Sequence, residues 1–440
     1  MWFLSAASAA TLVVDQTGHG DALTIEDALA LAVDGDTIHI HAGTYVEGGL
    51  TLPVDNLTLT GAGPQHTIID MSSWENASAF ELSGNWTLVD IGFVAPLKGG
   101  TAVYYFNRDG GDTDVGVIQN CRFEGFNVTI YPTGPFDTLY VLDSVFVDPG
   151  YPIMTGFIGP SGPLHVENNV FVDANAIVLE EDYSADTGHF VFWNNTFIRG
   201  ACGVARPGYR AYSTLEFKGN IAAGSVCGVS VADDRGDTVS HNLGHGLDHP
   251  FVYGENIEDA HDNLEADPEF CAWSSEMEWA DMNLRLQEGS PAIDLLPTEL
   301  SPSGSDNEGG SRPIDGDGDG RALSDAGAFE FGPARVCTSL PQDTGFDDTG
   351  YAVDTAVIDT QDSAPVDTQD SPRDSPADSL SDLPGDSPSR DSSTPDRPEP
   401  EPTCGCAGVG GALILPGLLL LALGRRRASV SSSCRRFAGR

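Results

Sequence analysis

Hydrophobic and polar residues follow a recurring pattern between about Val117 and Asn242. Each repeat has an apolar-alternating run, a small or amide residue, a second apolar run, and then Gly, Asp or Pro. The matched small or amide positions are spaced by 23, 25, 26 and 25 residues, at Cys121, Ser144, Asn169, Asn195 and Asn220. A period of this length with strand-like alternation is typical of a solenoid whose turns are β-strands.

The repeat predicts an all-β fold, a parallel β-helix (solenoid). Each turn buries one face only by stacking on its neighbours, with Val, Ile, Leu and Phe filling the axis. Asn at the strand corners tolerates left-handed dihedrals and can hydrogen-bond along a ladder. A β-sandwich is the alternative, since it also has short strands and frequent turns. It gives no reason for the same amide-and-Phe pattern to recur at near-constant spacing.

Two cysteines share one register in this repeat. Cys202 and Cys227 each lie seven residues after a matched Asn, namely Asn195 and Asn220. They are therefore expected on adjacent turns, about 4.8 Å apart along the axis, which is within reach of a disulfide. Two buried free thiols are the alternative. Five of the eight cysteines fall in or beside the globular part, so at least one stays free or pairs elsewhere.

An amphipathic helix is predicted before the first full turn. Thr24 followed by Asp27 resembles a capping box, and Gly35 ends the segment. The apolar residues of one helical face are Ile25, Ala28, Leu29 and Ala32. Such a helix would cover the otherwise open end of the stack.

The segment LTIEDALALAVDGDTIHIHAGTY (residues 23–45) resembles the first coil of pectin-lyase-like right-handed parallel β-helix proteins. The resemblance extends over about Leu12 to Asn242. It implies a right-handed β-helix. It implies little about activity, since the family includes lyases, hydrolases, adhesins and proteins without known catalysis.

Three later segments depart from the repeat pattern. They are DPEF (residues 267–270), NLRLQEGSPAID (283–294) and DGDGDGRALSDAGAFEF (315–331). Their order resembles the C-terminal portion of bacterial choice-of-anchor β-helix proteins. The resemblance implies that these segments form the last coils of one domain, residues 11–335, with AGAFEF as the final turn.

Charge and composition change beyond this domain. The formal net charge of −45 makes nucleic acid and anionic membrane surfaces poor partners, except at the one cationic end of the chain. Residues 336–403 are rich in Asp, Ser, Thr and Pro, and they bury too little apolar surface to fold, so we predict a disordered stalk.

Both ends of the chain resemble export signals, so we expect the protein to be exported. Residues 1–10 end in small residues as a signal peptide with a truncated front does, although an apolar first strand is the alternative. At the other end, residues 404–427 contain Cys404, Cys406, an apolar run at 407–424 and three arginines. That run is barely long enough to span a bilayer, with the arginines on the cytoplasmic side.

The C-terminal arrangement resembles the sorting signal of myxobacteria-type proteins. The resemblance implies cleavage near Cys404 or Cys406, a lipid anchor on one of them, and display at the cell surface. The chain departs from this pattern by continuing through the basic tail 428–440. An uncut single-pass anchor is the alternative. Both place the β-helix outside the cytoplasmic membrane.

The strongest local motif indicates a Ca²⁺ site. Asp315, Asp317 and Asp319 alternate with glycines, as in the first half of a calcium loop. The carbonyl of Arg321 would be the next ligand, and Asp325 would close the site in place of the usual glutamate. A solvated acidic glycine turn is the alternative. A structural role is expected of the ion.

Evidence for catalysis is weaker. Glu180, Arg206, Asp233 and Asp234 are candidates for paired acid–base chemistry on one face. Exposed charged ladders of this kind usually only solvate a solenoid. His241, His245 and His249 near the end of the stack are a candidate metal group, with a polar loop as the alternative.

Aromatic residues in or near the insertions offer a binding hypothesis that needs no catalytic group. They are Trp74, Tyr104, Tyr105, Phe106, Tyr131 and Tyr151. Such rings can stack on sugars, or they can simply pack loops on the solenoid. We therefore predict a monomeric, surface-anchored protein that binds polysaccharide or another cell-surface glycan. A polysaccharide lyase or glycoside hydrolase acting on acidic polysaccharide is the rival.

Overall fold

The fold is a right-handed parallel β-solenoid of about nine turns, which confirms the predicted fold class. The structure is a computed structural model. It describes residues 9–74, 77–95, 99–106, 114–133, 136–155, 162–179, 188–206, 213–232, 236–254, 257–297, 304–332 and 337. Residues 1–8 of the predicted signal peptide, the predicted stalk apart from Cys337, the sorting signal with Cys404 and Cys406, and the basic tail lie outside these residues. No helix within the described ranges is long and apolar enough to cross a membrane, and the apolar run 407–424 lies outside them.

Each turn contributes strands to three sheets. Sheet 1 has eleven strands: Thr11–Val14, Thr37–Ile40, Leu57–Thr60, Trp86–Val89, Val115–Gln119, Thr138–Leu142, Leu164–Glu167, His189–Trp193, Thr214–Lys218, Thr238–Ser240 and Asp259–His261. Sheet 2 has ten: Gly43–Tyr45, Thr67–Asp70, Gly92–Val94, Arg122–Glu124, Val145–Val147, Val170–Val172, Thr196–Ile198, Ile221–Ala223, Leu243–His245 and Leu264–Glu265.

Sheet 3 is built from two parallel groups of strands. The first group is Leu50–Thr51, Ser78–Leu82, Thr101–Phe106, Val128–Thr133 and Tyr151–Ile153. The second is Ile177–Val178, Val204–Arg206, Val229–Val231 and Val252–Gly254. A β-bridge between Met154 and Val178 connects them.

Stacked phenylalanines fill the axis behind sheet 2. Their ring centroids are 4.8–4.9 Å apart from one turn to the next. The members are Phe93, Phe123, Phe146, Phe171 and Phe197. Because equivalent residues of parallel strands stack directly above one another, a Phe repeated in the sequence becomes a continuous apolar column.

The matched polar positions form a buried ladder at the corner between sheets 1 and 2. Asn195 N–H donates to Asn220 Oδ1 at 2.9 Å, and Asn195 Nδ2 donates to the Val166 carbonyl at 2.8 Å. Asn169 N–H donates in the same way to Asn195 Oδ1 at 2.9 Å. The ladder continues through Asn242 to Asn263. The predicted alignment of these amides is therefore confirmed.

The residue before each ladder position turns the chain through the left-handed region. The φ values lie between 48° and 64° at Asp90, Asn120, Asp143, Asn168, Asn194, Gly219, His241 and Asp262. Asn, Asp and Gly tolerate this conformation best, so most turns use one of them. His241 is the exception in the series.

The N-terminal helix, Ile25–Leu31, forms as predicted. Thr24 Oγ1 accepts a hydrogen bond from the Asp27 N–H, which caps the first turn. Ile25, Ala28 and Leu29 are buried on the solenoid. The helix thus covers apolar residues at the first turn.

The segment after the last turn does not continue the stack. It forms an antiparallel pair, Phe270–Ala272 with Asn283–Leu286, and a 3₁₀ helix at Trp279–Asp281. Over residues 287–297 and 304–332 the described chain has isolated β-bridges and no strand. The prediction that AGAFEF is the final turn is wrong, since these residues form no strand.

This segment, residues 270–297 and 304–332, instead packs on the outer face of sheet 2, and we call it the covering segment. Its apolar residues form a second core with Val170, Val172, Ile198, Ile221, Ala223 and Leu243. They include Phe270, Met282, Leu284, Leu286, Leu296, Ala326, Ala328 and Phe331. The physical reason is that the strands VFV, TFI and IAA of sheet 2 are apolar on both faces and need a cover on the outside.

Two disulfides form among the cysteines of the described ranges. Cys202 pairs with Cys227, with a Cα–Cα distance of 4.3 Å, and Cys271 pairs with Cys337. The second disulfide ties the covering segment to its own end. Cys121 is free and buried in the described part of the chain. Burial raises the pKa of the Cys121 thiol to about 12, so this cysteine stays protonated and packs as a core residue.

Candidate functional site

Of the four predicted catalytic residues, the structure describes one. Glu180, Asp233 and Asp234 lie outside the described residues. Arg206 is described, and it lies in the core with 4% of its surface exposed.

Arg206 forms a buried ion pair with Asp237. Arg206 Nη1 donates to Asp237 Oδ1 at 2.9 Å and to the Ser213 carbonyl at 3.1 Å, while Nη2 contacts Oδ2. The same Oδ1 accepts the Leu215 N–H at 2.9 Å. A guanidinium held in this way is desolvated and permanently charged. Its position favours a structural role over proton transfer in a groove.

The outer face of sheet 3 carries an unusually apolar row. Strand register places Glu81, Tyr104 and Tyr131 on successive turns, and Met154, Val178, Ala205, Ser230 and Tyr253 follow in the same row. All are partly or fully exposed. Glu81 is the single charged residue of the row. A contiguous apolar row that is partly exposed commonly marks a contact surface.

An aromatic cluster lies at one end of this row. The ring centroids of Tyr104 and Phe106 are 5.6 Å apart, and those of Tyr104 and Tyr131 are 5.8 Å apart. Thr133 Oγ1 lies 3.4 Å from the Tyr104 hydroxyl. Tyr105, the neighbour in sequence, points inward and is 1% exposed. Of the six aromatic residues named from the sequence, Tyr104, Phe106 and Tyr131 form this cluster, and Trp74 is also exposed, at 40%.

The longest connections between consecutive strands follow the strands of sheet 3. Ten residues separate Val178 from His189, and ten separate Ile153 from Leu164. Only Asn194 and Asn195 separate Trp193 from Thr196 at the corner between sheets 1 and 2. The insertions therefore flank sheet 3, as expected for a solenoid that carries its binding loops on one side.

A cleft of about 600 Å³ lies where the covering segment meets the last turns. Trp273 contacts His245 edge to face, with ring centroids 5.8 Å apart, and His245 Nε2 lies 3.8 Å from Asp267 Oδ2. Glu269 and Gln287 also line the cleft. Its size falls within the range of small-molecule sites, so it is the alternative place for a ligand.

The acidic turn groups carboxylates that differ from the predicted calcium loop, because Asp294 joins Asp315 and Asp317 while Asp319 and Asp325 are not in the group. Carboxylate oxygens of Asp294, Asp315 and Asp317 lie within 4.8 Å of one another. Asp319 Oδ1 accepts the Arg321 N–H at 2.8 Å. The carboxylate of Asp325 instead accepts the N–H groups of Asp294 and Phe331 in the interior.

Sequence reasoning missed Asp294, which lies 21 residues before Asp315 and has no local motif. Asp294 Oδ2 accepts the N–H groups of both Gly316 and Asp317 at 2.9 Å. These hydrogen bonds are sufficient to shape the turn. Calcium binding stays a prediction, with Asp294 rather than Asp325 beside Asp315 and Asp317.

Asp325 belongs to a buried charge group with Glu330 and Arg312. Arg312 Nε lies 2.9 Å from Glu330 Oε2, and both side chains are fully buried. Burial and the nearby Glu330 charge raise the pKa of Asp325 to about 8. Burial likewise raises the pKa of Glu330.

These raised pKa values predict a pH-dependent stability. The folded state binds the Asp325 proton more tightly than the unfolded chain, whose carboxyl titrates near 3.8. The stabilisation is therefore complete below about pH 4 and is lost as the pH rises toward 8. We expect the unfolding temperature to fall between pH 5 and pH 8, and Asp325→Asn to flatten this slope. Calorimetry across that range is the check, and an unchanged slope in the variant would contradict the assignment.

No protein-family model matches the chain, and no curated protein matches it. Three solved structures illustrate the similarity that exists. A pectin methylesterase in complex with a hexasaccharide is 14% identical, covering 59% of this chain and 94% of its own, with a TM-score of 0.33. The A-module of mannuronan C-5 epimerase AlgE6 from Azotobacter vinelandii is 19% identical, covering 55% and 69%, with a TM-score of 0.32. Pectate lyase Pel9A is 13% identical, covering 74% and 97%, with a TM-score of 0.31. Similarity at this level does not bear on activity.

Proposed function

We propose that this protein is an exported, surface-anchored β-solenoid that binds polysaccharide along the outer face of sheet 3 and performs no chemistry on it. The observation that carries the proposal is the partly exposed cluster of Tyr104, Phe106 and Tyr131. Export and anchoring rest on the sequences of the two ends, residues 1–10 and 404–427.

Aromatic rings suit sugars because the apolar C–H face of a sugar ring packs on an aromatic face, while its hydroxyl groups stay in water. The row on sheet 3 presents one side chain per turn, about 4.8 Å apart along the axis. A glycan lying parallel to the axis would therefore meet a contact residue at each turn. This geometry favours an extended polymer over a single sugar.

Charge favours a neutral glycan. The row includes one carboxylate, Glu81, and no basic residue. The whole chain has a formal net charge of −45. A polyuronate would therefore be repelled unless cations bridge the two.

The rival hypothesis, a polysaccharide lyase or glycoside hydrolase, has no support among the described residues. Arg206, the one described member of its candidate group, is buried against Asp237. The other three members lie outside the described ranges. We therefore propose binding alone.

The test is glycan binding by matched surface variants. Tyr104→Ala combined with Tyr131→Ala is expected to weaken affinity for the bound polysaccharide by about tenfold, since two aromatic contacts each contribute about 0.5–1.5 kcal/mol. The ligand is first found on a panel of neutral and acidic polysaccharides by affinity electrophoresis. Reducing-end and unsaturated-product assays on the same panel are expected to show no turnover.

Two single variants locate the site. Tyr140→Ala removes an aromatic residue from the outer face of sheet 1, where Tyr140 stacks on His165 at 5.0 Å, and binding should be unchanged. Trp273→Ala tests the cleft. Loss of binding in Trp273→Ala with full binding in the sheet 3 variant would move the site to the cleft. Equal loss in Tyr140→Ala would refute a specific face.

A further inference from the structure

Two histidines and an aspartate meet at the last corner of sheet 1. His241 directly follows the strand Thr238–Ser240, and His261 ends the next strand, Asp259–His261. The strand register pairs Ser240 with His261. The next residues, His241 and Asp262, are therefore neighbours on adjacent turns.

The potential ligand atoms converge. One atom from each of His241, His261 and Asp262 lies within 4.8 Å of the others. Asp262 Oδ2 is 2.9 Å from His261 Nδ1 and 3.8 Å from His241 Nε2. Two donors bound to one tetrahedral Zn²⁺ lie about 3.4 Å apart. The observed distances fall on either side of this value, so small side-chain rotations would admit the ion.

The backbone at His241 is a second observation. Its φ is 56°, at a corner position that Asn, Asp or Gly holds in the other turns of the series. A histidine in this conformation carries some strain. The conformation places the imidazole of His241 beside Asp262, and the His241 side chain is 12% exposed.

A third observation is a carboxylate beside the second ring nitrogen of His261. The Nε2 atom of His261 lies 3.5 Å from Asp259 Oδ1, while its Nδ1 faces Asp262. The other carboxylate oxygen of Asp259 accepts the Thr238 hydroxyl at 2.9 Å. A carboxylate on the far nitrogen of a ligating histidine is the usual device that fixes the ring and raises its basicity.

We propose that His241, His261 and Asp262 bind a divalent transition-metal ion, with Zn²⁺ as the representative. Two imidazole nitrogens and one carboxylate suit Zn²⁺, Ni²⁺ or Cu²⁺, whereas Ca²⁺ and Mg²⁺ prefer oxygen ligands. His261 and Asp262 are partly open to solvent, so water can complete the coordination. The site is separate from the acidic turn around Asp315.

The role follows from the place of the site. Asp259–His261 is the last strand of sheet 1, and its residues are exposed. A terminal strand of a solenoid is prone to fraying and to pairing with other chains. A metal ion bound to residues of two successive turns holds this strand on the stack.

The test is Zn²⁺ titration of the full chain in detergent by calorimetry. Thiols are blocked with iodoacetamide, and excess Mg²⁺ occupies carboxylate sites. The expected result is one equivalent of Zn²⁺ bound at micromolar or tighter Kd, with a rise in unfolding temperature. Co²⁺ in place of Zn²⁺ should give visible d–d bands without thiolate charge transfer.

The variants are chosen to keep the corner intact. His241→Asn and Asp262→Asn introduce the residue that other turns use at this corner, and each should weaken Zn²⁺ binding by at least about tenfold. His261→Gln should do the same. Asp259→Asn should bind about 10–100-fold more weakly than wild type while still binding. His249→Gln, an exposed histidine stacked on Tyr253, should be unchanged.

Circular dichroism in EDTA establishes that each variant is folded before titration. No stoichiometric Zn²⁺ binding by the wild-type chain would overturn the proposal. Equal binding by wild type, His261→Gln and Asp262→Asn would also overturn it, because the ion would then lie elsewhere.

Discussion

Replacing Asp237 with Ala is expected to lower the free energy of unfolding by about 3–5 kcal/mol, because it removes the buried carboxylate that the Arg206 guanidinium contacts. Arg206 is 4% exposed and Asp237 is fully buried. The variant also removes the acceptor of the Leu215 N–H. Denaturant unfolding followed by circular dichroism is the measurement.

A double variant separates the structural role of the pair from a catalytic one. Arg206→Met with Asp237→Leu replaces both charges by apolar groups, and such replacements are often neutral or stabilising. We expect it to recover most of the stability lost in Asp237→Ala. Polysaccharide binding should stay at the wild-type level, since neither residue lies on the outer face of sheet 3.

Two results would contradict this account. A loss below about 1 kcal/mol in Asp237→Ala would mean that water reaches the guanidinium. Polysaccharide cleavage by the wild-type chain that disappears in the folded double variant would assign Arg206 a catalytic function.

The parts of the fold that repeat were predictable from the sequence. A single residue type recurring at Asn169, Asn195 and Asn220 has one simple explanation, which is stacking on a common corner. The N-terminal helix was predictable for a local reason, since Thr24 and Asp27 lie within one turn of each other. Both the periodic and the local signal can be read from the spacing of residues along the sequence.

Contacts that are neither periodic nor local were not predictable. Asp237 lies 31 residues from Arg206, which differs from the repeat spacing, so the register of the matched positions does not pair them. The packing of the covering segment was not predictable for the same reason. Its attachment to sheet 2 depends on outward residues such as Val172 and Ile198, whose burial is decided by tertiary packing.

The candidate site shows the same division. Alternation within the strand predicts that Tyr104 and Tyr105 face opposite ways, but it does not say which one faces outward. The structure places Tyr104 outside and Tyr105 in the core. Asp294 entered the acidic turn from a separate segment, and no motif in the sequence connects it to Asp315.

The second large effect is expected from the amide ladder. Asn195→Ala should lower the free energy of unfolding by about 2–6 kcal/mol, because two buried groups on the preceding turn lose their partners at about 1–3 kcal/mol each. Those groups are the Asn169 N–H and the Val166 carbonyl, whereas the Asn169 side-chain amide keeps two carbonyl acceptors. Each is buried where water cannot replace the lost partner.

Ser144→Ala is the graded comparison, because Ser144 occupies the equivalent position two turns earlier. The Ser144 hydroxyl accepts the Cys121 N–H at 3.0 Å and donates to the Leu142 carbonyl at 2.7 Å. It bridges fewer groups than Asn195, so we expect a loss of about 1–2 kcal/mol. Equal losses in the two variants would mean that the corner needs only a small residue. A larger loss at Asn195 would show that the hydrogen-bonded ladder itself stabilises the stack of turns that carries the proposed glycan-binding face.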